Sequence, residues 1–171
     1  APPYVPSGMP QQMGEVDDLG NPIMTIPKSV ILGYLPGCQK TQAARVLPLI
    51  KGYKYYRVNT LEELLHTIIE PKTAIVMDEY NFQDIGTINA AKILLDREEG
   101  GTIKVRFQNI TIPKDVMMVI TCNAPSVRAW VEDAFGPVTQ DDLEAIERRV
   151  LFIKCQYAFG NTPAAIAYWW S

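Results

Sequence analysis

Between Ser29 and Val46 the chain reads SVILGYLPGCQKTQAARV: a short apolar run, a loop with Gly and Pro, and a Lys-Thr pair opening an amphipathic stretch. That succession predicts a buried strand, a tight turn and a helix N-terminus placed end to end. Such a turn directs main-chain N–H groups inward, and the helix end adds positive potential, so together they suit a phosphate. In the pattern G-x-x-x-x-G-K-[ST] the Lys meets the β- and γ-phosphates and the hydroxyl meets Mg²⁺. Lys40 and Thr41 fit those two roles, with Gly37 inside the loop. Two positions depart from the pattern: Tyr34 replaces the first Gly and Gln39 the second, while Gly33 stands one residue early. A Cβ at position 39 either crowds the phosphates or forces a backbone angle at which Gly would be at ease. The candidate nucleotide contacts are therefore Pro36, Gly37, Cys38, Gln39, Lys40 and Thr41.

From Pro27 onward short apolar runs alternate with amphipathic stretches, the pattern of α/β architecture. Strands are expected at Val30–Gly33, Tyr53–Val58, Thr73–Met77, Val116–Cys122 and Val150–Lys154. Helices are expected at Lys40–Val46, broken by Pro48, and from the capping box Thr60-Leu61-Glu62-Glu63 to just before Pro71. Three more are expected near Thr87–Arg97, Ser126–Phe135 and Thr139–Arg149. Gly100-Gly101 introduces a hairpin: Thr102–Phe107, a turn at Gln108-Asn109, then Ile110–Ile112. Residues 1–22, with five prolines and three glycines, read as a linker or arm, leaving 23–171 as one domain. The apolar ending Tyr168-Trp169-Trp170 is expected to dock on its own core or on a neighbour.

Composition narrows the function classes. A net charge of −3 argues against a bulk electrostatic hold on nucleic acid, so such contact needs a local basic patch. Three cysteines without metal-ligand spacing point away from a disulfide framework and towards a reducing compartment. No segment approaches the roughly 18 apolar residues of a membrane span, so no membrane contact is expected.

Chemistry gathers at the ends of the expected strands. AIVMDE ends in Asp78-Glu79. An Asp at a strand end holds Mg²⁺, and an adjacent Glu activates an attacking water; the plain alternative is a solvated strand end. Asn123, closing MMVITCN, is placed to orient that water or touch the γ-phosphate, although Asn is also a common turn residue. Arg148-Arg149 either pair with nearby acids and favour a helix C-terminus, or supply an arginine finger to a neighbouring subunit. On the hairpin, Lys104 and Arg106 share one face of an alternating strand, opposite Val105 and Phe107. With Lys114 they form either an ordinary polar face or a contact for a phosphate backbone.

Taken in order, LPGCQKT, the strand ending MDEYNF, the hairpin leading to MMVITCNAPSVRAW, and EAIERRVLFIK resemble the superfamily 3 helicase domain of the AAA+ group. The resemblance is nearest to the replication-initiator (Rep) proteins of small circular single-stranded DNA viruses, of the circovirus and geminivirus kind, and covers about Ile26 to Lys154. It implies a P-loop NTPase fold with a central, mostly parallel sheet flanked by helices and a β-hairpin insertion. It also implies ATP- and Mg²⁺-driven translocation of single-stranded DNA during DNA replication, by a homo-oligomeric, usually hexameric ring, in the host nucleus. Lys40 and Thr41 match the Walker A pair, Asp78-Glu79 the Walker B pair with Thr41 and Asp78 on the metal, Asn123 the sensor, and Arg148 or Arg149 the finger. The pore-side hairpin matches Lys104–Ile112, although Phe107-Gln108-Asn109 stands where the family often has a Lys-Gly-Gly-like tip. No pattern of the nicking-and-joining nuclease domain is visible, so the resemblance is to the ATPase part alone. Two alternatives stand beside it: a degenerate, non-catalytic binding or oligomerisation module, and an AAA+ ATPase acting on RNA.

Overall fold

The computed structural model describes residue 19 and residues 29–37, 39–50 and 52–155. The arm 1–22 apart from Leu19, the loop residue Cys38 and the closing Tyr168-Trp169-Trp170 lie outside the described residues. The elements are β1 (Ser29–Tyr34), α1 (Lys40–Ile50), β2 (Lys54–Arg57), a 3₁₀ turn (Leu61–Leu64), β3 (Thr73–Met77) and α2 (Ile88–Leu95). They continue with β4 (Gly101–Val105), β5 (Gln108–Ile112), β6 (Val116–Thr121), α3 (Val127–Phe135), α4 (Gln140–Arg149) and β7 (Val150–Cys155). Five strands form one sheet in the order β2-β3-β6-β1-β7, with every neighbouring pair parallel. β4 and β5 form a separate antiparallel ribbon. The molecule is thus α/β with a parallel sheet flanked by helices and a hairpin insertion, as expected.

A parallel sheet covered on both faces needs strands that are apolar throughout. TAIVM of β3 and VMMVIT of β6 meet that need, and every residue in them is buried. Because side chains alternate across a strand, these runs feed two cores. Val30, Leu32, Ala74, Val76, Met117 and Val119 pack with Ala43, Ala44 and Leu47 of α1. Ile31, Ile75, Met77, Met118 and Ile120 pack with α2, α3, α4 and the hairpin. Each fully buried Ile or Leu contributes about 1.5–3 kcal/mol relative to exposure. The buried Ser29 hydroxyl donates to Leu95 O (2.9 Å) and accepts from Met118 N (3.4 Å), which ties β1 to α2 and β6.

Four local expectations are corrected. Pro48 does not break α1, which runs on to Ile50. A proline close to a helix end forfeits one bond, and its carbonyl here still accepts from Tyr53 N at 2.9 Å. The capping-box segment makes a single 3₁₀ turn and not a longer helix. Its start is held by the Asp84 carboxylate on Leu61 N (2.5 Å) and by Glu63 on Thr60 N (2.9 Å), while Ile68 is 87% exposed and offers no continuing apolar face. β2 is narrower than the expected Tyr53–Val58 and exposed along its length, because it is an edge strand.

The fourth correction concerns the hairpin. Its turn is Arg106-Phe107, not Gln108-Asn109, and both turn residues have positive φ (46° and 66°). Positive φ at both positions gives the twist that a two-residue hairpin loop needs. In this register Ile103, Val105, Ile110 and Ile112 are all buried. Arg106 therefore leaves the face of Lys104, and Phe107 stands 93% exposed at the tip.

Candidate nucleotide site

In an open parallel sheet, ligands bind beyond the carboxyl ends of the strands where the connections diverge. Here that point lies between β1 and β6. From β1 the chain crosses to the far edge at β2, and from β6 it passes to β7 on the other side of β1. The loop after β1, Asn123 after β6 and Asp78-Glu79 after β3 all lie at this end of neighbouring strands.

Tyr34 and Gln39, the two residues in place of the motif glycines, have φ of +87° and +59°, and Gly37 between them has +80°. The backbone thus takes left-handed turns where the pattern calls for Gly, against a cost of about 1–2 kcal/mol for each non-Gly residue. Such strain persists where the surroundings over-determine it and is typical of ligand-binding turns. Tyr34 is steadied by Lys154, whose Nζ lies 4.5 Å from the ring centroid. Gly33 also has its own steric reason to lack a side chain: a Cβ there would lie 2.2 Å from Phe152 Cζ and 2.9 Å from Ala124 O. Pro36, Gly37, Gln39 and Thr41 are exposed around the turn, with Thr41 in the first turn of α1.

Lys40 opens α1 and is 8% exposed. Its Nζ donates to Tyr34 O (3.0 Å), Cys122 O (2.8 Å) and Asn123 Oδ1 (2.9 Å). An ammonium has three donors. All three are used, and they join the end of β1 to the end of β6. Beside it, burial pushes the Cys122 thiol up despite the nearby Lys40 charge.

Asp78 follows β3, and its Oδ2 accepts from Arg57 Nη2 (2.6 Å) and Nε (3.2 Å). Its Oδ1 is buried and has no hydrogen-bond partner. Glu79 is exposed, takes a left-handed backbone (φ 51°), and donates its N–H to Thr121 Oγ1 at 2.9 Å. The segment behind it is firmly anchored. Trp130 Nε1 donates to Tyr80 O (2.9 Å), Phe82 stacks on Trp130 with centroids 4.3 Å apart, and Tyr80 Oη donates to the buried Asp84. Burial, reinforced by that carboxylate, holds the Tyr80 phenol protonated far beyond its ordinary range.

An orphaned carboxylate oxygen at the sheet end where an exposed hydroxyl also opens α1 suits a hard divalent cation. Among the described residues no cluster of three or more His, Cys, Asp or Glu gathers as a self-sufficient metal cage. Mg²⁺ does not require one, since it is usually held by one or two carboxylates together with substrate phosphates.

The remaining candidates lie elsewhere. β7 starts opposite Ser29, so Arg148-Arg149 sit at the amino end of β1, away from Lys40 in the same chain. Arg149 is turned inward, with Nη1 donating to Ala145 O (2.7 Å) and Nε 3.4 Å from Asp96. Arg148 is exposed and borders a shallow cleft with Asp141, Glu144 and Glu147. On the hairpin, Lys104 Nζ lies 5.8 Å from the Phe107 ring, Arg106 pairs with Glu62 (2.7 Å), and Lys114 is exposed at the base, beyond β5. The three cations are spread from tip to base and do not form one patch.

Arg57, Thr121 and the carbonyls of Tyr34 and Cys122 are site residues that sequence reasoning missed. None belongs to a motif; only the pairing of β2 with β3 and of β6 with β1 brings them in. No helix among the described residues is long and apolar enough to cross a membrane. No protein-family model matches the chain, and neither does any curated protein.

Proposed function

We propose that the protein is a P-loop ATPase of superfamily 3 helicase type, the motor domain of a viral-type replication initiator that draws single-stranded DNA through a homo-oligomeric ring. The observation that carries this reading is the convergence of Lys40, Asn123 and Asp78 at the carboxyl ends of β1, β6 and β3 behind a turn with left-handed residues at both motif-glycine positions. Lys40 exchanges its internal carbonyl acceptors for phosphate oxygens, while Thr41 and Asp78 would hold the cation. Bound Mg²⁺ would neutralise phosphate charge. Glu79 accepts a proton from the attacking water, and Asn123 keeps hold of Lys40 while facing the terminal phosphate. Because Arg148 lies at the opposite sheet end, it acts on a neighbouring subunit's site, and Arg149 remains committed to its own chain.

One observation favours a second reading. Lys40 already satisfies all three donors internally, which suits a loop retained as a staple in a non-catalytic module. Phosphate release measured with increasing single-stranded DNA, and in parallel with RNA of the same sequence, separates the readings. DNA-stimulated turnover supports the motor, stimulation by RNA alone points to an RNA-directed ATPase, and no turnover with either leaves the staple module.

A further inference from the structure

Asp78 has one neutralising partner in a described ion pair, the Arg57 guanidinium. Both Arg57 contacts fall on Oδ2, leaving Oδ1 buried and unbonded. A buried acceptor without a hydrogen bond is costly, and Oδ1 is one even though Arg57 neutralises the carboxylate through Oδ2. The two partners also differ in freedom, since the Arg57 side chain is 43% exposed and the Asp78 side chain 19%. Arg57 stands on an edge strand with solvent beside it, so it can withdraw without opening the core. Lys40, another cation at this end of the sheet, has its donors committed to Tyr34, Cys122 and Asn123.

We propose that Arg57 is a placeholder cation: it neutralises Asp78 while no divalent ion is bound and must be displaced when one binds. This rests on the reading of Asp78 as a Mg²⁺-holding residue. Two cations on one carboxylate repel each other, so the ion pair and the metal compete, and the pair sets the metal concentration at which the site loads. Arg57 acts through Asp78, its partner in both described contacts, and is a positioning residue. Its strength is that of a half-exposed pair, which corresponds to about a 2- to 10-fold effect on apparent metal affinity.

The test is titration of the full chain with Mn²⁺ at saturating ADP, following free Mn²⁺ by electron paramagnetic resonance. Wild type is compared with Arg57→Ala, Arg57→Gln, Arg57→Lys and Asp78→Asn. Tighter Mn²⁺ binding by about 2- to 10-fold in the Ala and Gln variants, with Lys near wild type and Asn much weakened, is the expected result. Unchanged or weaker binding in both the Ala and Gln variants, with Asp78→Asn still weakened, overturns the placeholder and leaves the metal site standing. Binding that is indifferent to Asp78→Asn overturns the metal reading, and the placeholder falls with it. A readout on the wild type is independent of how the variants fold: the Arg57 Nε–H resonance moves to the position of an unpaired arginine when Mg²⁺-ADP is added. An unmoved resonance contradicts the displacement.

Discussion

The Lys40 ammonium lies 2.9 Å from Asn123 Oδ1, a contact that joins residues 83 positions apart. Together with the bonds to Tyr34 O and Cys122 O, it makes the residue expected to hold phosphate also a clasp between β1 and β6. Replacing Lys40 by Ala is therefore expected to lower the stability of the nucleotide-free protein by about 1–3 kcal/mol, since it abandons three acceptors at a nearly enclosed site. Urea unfolding checks this, and an unchanged midpoint would show that the three bonds contribute little.

Gln39→Gly relieves the left-handed strain at φ +59° but loosens the unfolded chain. The first effect is about 1–2 kcal/mol and the second about 0.4–1 kcal/mol, so a net gain of up to about 1.5 kcal/mol is expected. A clear loss in chemical denaturation would contradict the left-handed backbone. Tyr34→Gly is expected to gain less, because it also gives up the ring beneath Lys154.

Much of this turn was legible in advance. A buried run, a Gly/Pro loop and a Lys-Thr pair are local signals, as are the apolar runs ending at Asp78 and Asn123, and the structure brings them together. Arg57 was not legible. Its meeting with Asp78 depends on β2 lying parallel beside β3, and KYYR carries no chemistry until that register is known. The hairpin turn escapes sequence reasoning for a related reason. Arg106-Phe107 lacks the Gly or Asn that ordinarily marks positive φ, whereas Gln108-Asn109 has the look of a turn. Burial of Ile103, Val105, Ile110 and Ile112 on one face decided the register instead.

Gly33→Ala is expected to destabilise by about 1–3 kcal/mol, because the new methyl meets the Phe152 ring and the Ala124 carbonyl. Trimming the ring with Phe152→Leu relieves only the first clash, so the double variant should recover part of the loss. Thermal unfolding of the four combinations gives the coupling; full additivity would show that the two residues do not touch.

At the amino end of the sheet, Asp115 accepts from Tyr53 Oη (2.6 Å) and Arg97 Nη2 (2.5 Å). Burial alone would raise its carboxyl, but these bonds and the Arg97 and Lys72 charges hold it below the usual range. A lowered native pKa contributes stability above the unfolded value of about 3.9, which is lost as pH falls through the native one. The Tyr53 phenol, pushed up to about 12 mainly by burial and then by Asp115, contributes below about 10 and loses that contribution between about 10 and 12. Asp115→Asn should accordingly flatten the acid limb of the stability curve measured by urea unfolding below about pH 4. An acid limb of unchanged slope would place the acid-sensitive groups elsewhere.

The most direct test of the central claim is steady-state phosphate release from Mg²⁺-ATP by the wild type beside Lys40→Ala and Glu79→Gln. If the loop holds ATP and Asp78-Glu79 serve its hydrolysis, the wild type turns over, Lys40→Ala loses both binding and turnover, and Glu79→Gln binds ATP while releasing phosphate at least about 100-fold more slowly. Wild-type release no faster than that of either variant would contradict it.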